Sequence, residues 1–561
     1  MKKSNSLKTI SAALLSGLML GLSVNHIGGV SFAFLLPVCM LGIFSALEKL
    51  DTLKSWLLHA FVFSFTALSL ALLGFTWIEL LAGKIMVTLI SFLYTLPFAM
   101  LWFLRKRLRT ESTRSFALLA LIWPPVAWFV TEKLFAVPIT LFSNGLANYP
   151  VFIQFIDLTG YTGISAWVIV LNVFILLVYK SIRQNRLAEL TGSKDFLKLS
   201  GAAMLWFTLP LLYAWYSYTA LPATFQGYVT ATVIQPGYPQ DDPEREEFQI
   251  DVALALTDSA VAQTRPDIVV WPEAALPSSV RTDENALLFM ADRVLRWQTP
   301  VATGMMDMEQ APTPLPPLQQ YLNRDYFYYN TAAMITPQLG WRVIMENQRA
   351  DALNVYRKVN LMPFTEYVPF SDRFPFLSRL VLEFGENNHF KAGASGTTMT
   401  FLTQDERIVH IIPYICWDIL FASTHKAENL QRAHLITTHT SGRLFGDDIK
   451  TSLIGIKNYA RLRSVEARKS MLKSSTTGYS FFTNPFGEVL GMIEPFTENY
   501  STERVPLNQG LSLYSRFPNG FPVLCLLALI VLTLYPAKKI NPKSHDHQKK
   551  QKKQHPRKTS K

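Results

Sequence analysis

Cysteine is scarce: 3 in 561 residues, namely Cys39, Cys416 and Cys525. Two of them fall in long apolar runs. Cys416 therefore stands alone in the mixed middle of the chain, with no intramolecular disulfide partner there. A lone thiol in an oxidising compartment is either buried and inert or kept for use. Other absences narrow the field. There is no P-loop and no GxGxxG after a strand-like run, so nothing points to a nucleotide cradle. His425, His434 and His439 are scattered without metal-ligand spacing, so no metal or other cofactor is expected. The first apolar run, preceded by Lys2, Lys3 and Lys8, lacks a small-residue cleavage site, which argues against a removable signal peptide. Acidic residues are outnumbered, 41 against 53 Lys+Arg, for a net charge of +12. That excess sits in loops between apolar runs and in the tail 538–561, so membrane topology accounts for it and nucleic-acid binding is not expected.

What the chain has is length beyond one domain and a positive mean hydropathy beside its net charge, an unusual pairing for a soluble protein. Apolar residues crowd before about Leu221 and again after Gly520. Residues 1–221 read as a membrane helix bundle of about seven spans, near 8–26, 30–47, 55–78, 82–104, 115–134, 161–180 and 200–219. The segment Val137–Phe155, broken by Pro138, Asn144, Asn148 and Pro150, reads as a loop at the membrane interface. Basic loops alternate with basic-poor ones such as Asn25–Gly29 and Glu79–Lys84. The positive-inside rule then places both termini in the cytoplasm and the residues after Leu221 outside. An eighth span at 520–536 returns the chain, and 538–561 is a basic cytoplasmic tail.

The stretch 227–507 alternates strand-like and helix-like runs, an α/β pattern with a mixed sheet. Strands are predicted at Val229–Gln235, Ile268–Trp271, Pro300–Gly304, Asn330–Ile335, Arg342–Glu346 and Thr398–Leu402. Four more follow at Ile408–Ile415, His434–Thr438, Met471–Ser475 and Tyr479–Thr483. Helices are predicted at Arg245–Thr264, Glu284–Gln298, Ile419–Asn429 and Thr451–Lys469. The Pro-rich run Gln310–Gln319 reads as an inserted loop. Phe370–Phe390 reads either as core packing or as an arm lying against the membrane or over the lipid entrance. Arg463 and Glu466, three apart on one helix face, read as a structural ion pair.

Three stretches in that middle carry chemistry. The apolar run Ile408–Ile415 ends at Cys416, with Trp417 and Asp418 after it and a helix-like segment beyond. A helix start there would favour the reactive thiolate. Asp267–Pro277 ends a short strand in Trp271-Pro272-Glu273, placing a shielded carboxylate as a candidate general base. Arg357–Pro369 sets Lys358 before an apolar, Pro-flanked run with Glu366 eight residues on. Thiol acyl transfer needs a thiolate, a base for its proton and donors for the oxyanion.

Taken in order, Trp-Pro-Glu, then Lys with Leu-Met-Pro-Phe-Thr-Glu-Tyr-Val-Pro, then Ile-Cys-Trp-Asp resemble the nitrilase-type Glu-Lys-Cys enzymes. With the membrane spans, the Pro-Phe-x-Glu-Tyr-Val-Pro block narrows the resemblance to the apolipoprotein N-acyltransferases. It implies a multi-pass α-helical bundle carrying an α-β-β-α sandwich outside a bacterial inner membrane, with a periplasmic catalytic site. It implies Cys416 as nucleophile, Glu273 as base, and Lys358 as charge partner and oxyanion donor. Glu366 would orient Lys358, the Trp417 backbone N–H would be a second oxyanion donor, and Asp418 would hold the turn. The implied donor is a membrane phospholipid, typically phosphatidylethanolamine, and the acceptor is the α-amino group of a lipoprotein's diacylglyceryl-cysteine. The chain departs from the family pattern at Trp417-Asp418, where Tyr-Glu is usual. It departs again at Thr440-Ser441-Gly442-Arg443-Leu444-Phe445, where Ser-Asn-Asp-x-Trp-Phe is usual. Gln235, Pro239 and Gln240 are kept, but Glu244 falls near a usual tryptophan. A membrane-anchored amidase using water as acceptor, and a weakened lipoprotein-binding paralogue, stay open beside the acyltransferase at this stage.

Overall fold

The structure, a computed structural model, describes residues 2–27, 30–72, 80–110, 112–134, 138–184, 194–237, 249–276, 279–346, 353–380, 389–394, 396–442, 450–510 and 512–534. The tail 538–561, the kept Pro239 and Gln240, the departures at Glu244 and Arg443–Phe445, and the start of the helix predicted from Arg245 lie outside the described residues.

Among the described residues six helices are long and apolar enough to cross a bilayer. They are Ser6–Val24, Leu53–Ala71, Val87–Arg107, Thr113–Leu134, Thr162–Arg183 and Lys194–Thr224, with a shorter apolar helix at Gly520–Leu534. Small residues set their packing. A Cβ on Gly17 would meet Phe63 O at 2.5 Å, and one on Gly21 would meet Ala67 O at 2.7 Å, so this GxxxG face lets two backbones touch. The expected span 30–47 needs correction: it is not one continuous helix. A short hairpin, β1 (His26–Ile27) with β2 (Val30–Ser31), precedes a 3-10 turn at Ala33–Leu35, and the helix Leu41–Leu47 begins only after a break. Pro37 cannot donate within a continuing helix. Asn172 fills the break, accepting from Met40 N at 2.9 Å and donating to Leu36 O at 2.8 Å. The described part of 137–155 also differs from the expected interface loop. It forms the helix Leu141–Leu146, wholly buried, and a 3-10 turn at Pro150–Phe152.

The remaining strands build two six-stranded sheets. The first runs in the order β14 (Asn499–Pro506), β3 (Tyr228–Gln235), β4 (Ile268–Val270), β5 (Val301–Gln310), β6 (Tyr326–Ile335) and β7 (Asn354–Arg357). The second runs β13 (Val489–Ile493), β12 (Ser480–Thr483), β11 (Ser470–Ser475), β10 (Leu435–Thr440), β9 (Ile408–Ile415) and β8 (Met399–Leu402). Their inner faces share one core containing Val233, Ile268, Tyr356, Ile411 and Leu472. The helices Gln249–Thr264, Glu284–Trp297 and Pro337–Glu346 cover the first sheet, burying Leu254, Met290 and Val343. The helix Lys450–Ala467 covers the second, so the layer order is α-β-β-α. The strand predicted at Arg342–Glu346 is part of a helix. Pro337 opens it, and Leu339 and Val343, four apart, bury one face. The predicted helix Ile419–Asn429 is instead a 3-10 turn, Cys416–Leu420, then a loop and the helix Ala427–Arg432. Thr424 Oγ1 donates to Asp418 O and Phe421 O, which competes with helical bonding there.

The helix Lys450–Ala467 serves two cores at once. Its Ala460, Leu462 and Val465 join Ile412 and Met471 of the second sheet and Ile156, Tyr161 and Ile164 of the bundle in one apolar cluster. Asn458 Nδ2 donates to Asn144 O at 3.0 Å, and Tyr459 Oη to Pro138 O at 3.1 Å. Arg463 and Glu466 pair at 3.1 Å, as the spacing predicted, and Glu466 also accepts Tyr161 N–H at 2.6 Å. Just past the helix, Arg468 binds Asp157 at 2.8 Å.

Candidate active site

The site forms where strand ends of both sheets meet. Strand β4 stops at Trp271-Pro272, because proline cannot extend the ladder, and Glu273 follows. Strand β5 presses against this turn at Gly304, where a Cβ would lie 2.6 Å from the Glu273 Cα. Only glycine fits that approach. Strand β7 delivers Lys358, which is 2% exposed. Its Nζ lies 2.8 Å from Glu366 and 3.6 Å from Glu273. Glu366 reaches back from the following loop and accepts Met362 N–H at 2.8 Å. The like charges of the two glutamates are tolerable because the ammonium sits between them. Burial pulls Lys358 down, but Glu366 and then Glu273 outweigh it, so its ammonium is held well above the ordinary lysine range.

Strand β9 delivers Cys416 across the gap. Its φ is 45°, in the left-handed region that a side chain occupies only when its surroundings impose it. The surroundings are built around Asp418, which is fully buried. Its carboxylate accepts Asn360 N–H at 2.7 Å, Asn360 Nδ2 at 3.0 Å, Tyr356 Oη at 2.8 Å and Ile415 N–H at 3.3 Å. Asp418 thus ties the turn of Cys416 to the segment bearing Lys358. Burial still pushes its carboxyl up to about 6, against the Lys358 charge. Trp417 places its ring in the core on the outer face of the second sheet.

The expectation of a helix N-terminus lowering the thiol meets a correction. The turn at Cys416 is a five-residue 3-10 element, too short for a useful macrodipole. Burial pushes the thiol up, the Glu273 carboxylate adds to that, and Lys358 opposes it. These influences hold Cys416 above the ordinary thiol range and so favour its protonated form at rest. With both glutamates charged and Lys358 protonated, the cluster carries one net negative charge. Moving the thiol proton to Glu273 leaves that total unchanged, whereas losing it to water would add a second negative charge. The arrangement therefore favours proton transfer inside the site.

All six residues singled out in the sequence lie at or beside this junction. Others were missed. Asn330 on β6 donates to Glu273 at 2.7 Å and to Glu366 at 2.9 Å, holding both carboxylates from one side chain. Ser441 N–H, at the end of β10, donates to the other Glu273 oxygen at 2.9 Å. Lys473 on β11 is buried, donates to Thr440 Oγ1 at 2.9 Å and Tyr479 O at 2.7 Å, and is pulled down to about 7 by burial. His439 Nδ1 lies 2.7 Å from Trp271 O and joins the two sheets beneath the site. Asn330, the one amide side chain in its strand, was the local signal among these.

Residues 230–512, half of the chain, match the family described as carbon-nitrogen hydrolase, and residues 16–174 match the apolipoprotein N-acyltransferase N-terminal domain. The apolipoprotein N-acyltransferase of Chlorobaculum tepidum is 27% identical, over 93% of this chain and 96% of that protein. That of Geobacter metallireducens is 24% identical over 93% and 94%. Apolipoprotein N-acyltransferase 2 of Treponema denticola is 25% identical over 79% and 81%.

Proposed function

This chain belongs to the carbon-nitrogen hydrolase family, among its apolipoprotein N-acyltransferases, and from that premise we propose that it moves an acyl chain from a membrane phospholipid to the α-amino group of a lipoprotein's N-terminal diacylglyceryl-cysteine. The observation that carries the mechanism is Lys358 lying between Glu273 and Glu366 beside the Cys416 thiol. Glu273 takes the thiol proton as Cys416 Sγ attacks the donor's ester carbonyl. Lys358 and the Trp417 N–H receive the oxyanion, and Glu273 returns the proton to the leaving glycerol oxygen. The thioester then meets the acceptor amine, whose proton goes to Glu273 as the amide forms and the thiolate leaves. Phosphatidylethanolamine is the proposed donor. Relatives matched over nearly their whole length carry the acyltransferase name, so the amidase and binding-only readings are not favoured.

The experiment is to give the purified chain phospholipid without acceptor. An acyl mass on the Cys416 peptide that neutral hydroxylamine removes, and that diacylated lipopeptide discharges onto its own amine, is the expected result. Discharge to free fatty acid alone, or full lipopeptide acylation by Cys416→Ala, sinks this mechanism.

The helix bundle supports membrane residence, and we place the catalytic half in the periplasm with both termini in the cytoplasm. That placement requires an odd number of crossings before Tyr228, so the interrupted segment 30–47 crosses in its broken form beside the six long helices. A reporter fluorescent only in the cytoplasm should be dark when inserted at Gln310 and bright at the C-terminal tail. A bright signal at Gln310 overturns the topology.

A further inference from the structure

Among the buried polar atoms without a partner are Arg324 Nη1 and His389 Nδ1. A buried donor left unpaired costs free energy, so the two call for an explanation. Both are tied to the strand and loop that carry Asn330 and Glu366. Tyr328 is two residues from Asn330 on β6, and residues at that spacing share one face of a strand. Asn330 points that face at Glu273 and Glu366. The Arg324 guanidinium stands over the Tyr328 ring, 5.6 Å from its centre. The segment bearing His389 runs alongside: Phe390 N–H donates to Glu366 O at 2.8 Å, and Lys391 N–H to Tyr328 O at 2.8 Å. No described carboxylate pairs with Arg324. Burial and the Arg324 charge pull His389 below the ordinary histidine range, so at neutral pH it is uncharged. With its proton on Nδ1, both orphan atoms are donors, and the pair offers one fixed positive charge. Exposed Phe370, Phe374 and Phe376 lie on the neighbouring arm, where Arg379 stands over Tyr321 of the helix leading to Arg324.

We propose that Arg324 and His389 form a phosphate subsite that receives the phosphodiester of the phospholipid donor and sets its ester carbonyl over Cys416. This rests on the acyl-transfer reading above and adds the group by which the donor is recognised. Only the glycerol backbone separates phosphodiester from ester carbonyl in such a lipid. A guanidinium suits a phosphate because its paired N–H groups meet two oxygens.

The test compares two acyl donors on the full-length chain in lipid nanodiscs or detergent. One is phosphatidylethanolamine; the other is a p-nitrophenyl acyl ester, which has no phosphate. The rate of acyl mass appearing on Cys416 is read for each. Arg324→Gln should raise KM for the phospholipid about tenfold or more, the loss expected of a charged hydrogen bond. The maximal rate and the rate with the ester should stay at wild-type values. Arg324→Lys, keeping the charge but not the fork, should recover part of the loss, and His389→Phe should raise the same KM by less. Equal loss with both donors overturns the subsite, as does an unchanged phospholipid KM. The latter leaves acyl transfer standing. A wild type acylated by neither donor removes both readings. A melting shift with inorganic phosphate that Arg324→Gln abolishes while phospholipid KM stays constant assigns the pair to a free anion, and also overturns the headgroup role.

Discussion

The two sheets follow one pattern of strand directions. Each has an antiparallel edge strand, then two parallel steps, then two antiparallel ones: β14-β3-β4-β5-β6-β7 in the first, β8-β9-β10-β11-β12-β13 in the second. Their contributions to the site nonetheless differ. The first sheet brings the charges, Glu273, Lys358 and the Asn330 that holds the carboxylates. The second brings the proposed nucleophile, Cys416, together with Ser441 N–H and the buried Lys473. Their outer covers differ as well. Helices belonging to the catalytic half alone pack on the first, whereas the cover of the second is continuous with the membrane bundle. The thiol is thus mounted on the sheet packed against the helix bundle, and Glu273 and Lys358 come from the sheet packed by the catalytic half's own helices. Asp418 and His439 are the joints between them.

The comparison is broken most severely at the nucleophile. Cys416→Ser keeps shape but puts a hydroxyl where Glu273 has little power to deprotonate it, so turnover should fall by orders of magnitude while melting temperature holds. Lys358→Ala should also abolish acylation, on the order of 10²–10⁴-fold, but with lower stability, because two buried carboxylates then face each other. Both are checked by single-turnover acylation beside thermal melts. If Cys416→Ser and Lys358→Ala destabilise equally, Lys358 is not what holds the two buried carboxylates together.

A smaller effect tests the cover. Arg463→Met leaves Glu466 buried without its partner and should cost about 3–5 kcal/mol, read as a loss of melting temperature in detergent. Acylation per folded molecule should stay near wild type. A loss of rate without a loss of stability would mean that the helix Lys450–Ala467 acts on the chemistry directly.

The smallest effect tests the joint. Asp418 is raised to about 6 when folded, against about 3.9 when unfolded. The folded state therefore binds this proton more tightly, and the associated stability is present at low pH and lost as pH rises through about 6. The unfolding free energy of wild type minus that of Asp418→Asn should fall between those two values and level off above them. Parallel curves would show that Asp418 does not titrate as described.

Much of this was legible before any coordinates. Cys416 ends an apolar run that is a buried strand, and Glu273 follows a Trp-Pro that stops one, so local pattern placed both at strand ends. Lys358 and Glu366 emerged from their motif, not from periodicity. The rest was hidden for identifiable reasons. Ser441 N–H meets Glu273 across 168 positions of chain, and a backbone donor leaves no mark in a sequence. Strand β7, four residues long, gave too few alternations to register. The supposed helix after Cys416 failed because Thr424 captures the carbonyls a helix would use. The supposed strand at Arg342–Glu346 failed because Pro337 had already started a helix.

The helix shared by both cores has a consequence for inheritance. Excision of the catalytic half at Tyr228 would strip Asn458, Tyr459 and Glu466 of partners on residues 138–161, and Arg468 of Asp157. It would also open to water the apolar seam that Ala460, Leu462 and Val465 share with Ile156, Tyr161 and Ile164. The enzyme is therefore not a soluble catalyst with a detachable tether. Its two halves have to be copied and altered as a single folding unit, and an exchange of membrane halves between relatives succeeds only where Asn144, Asp157 and Tyr161 travel with matching partners.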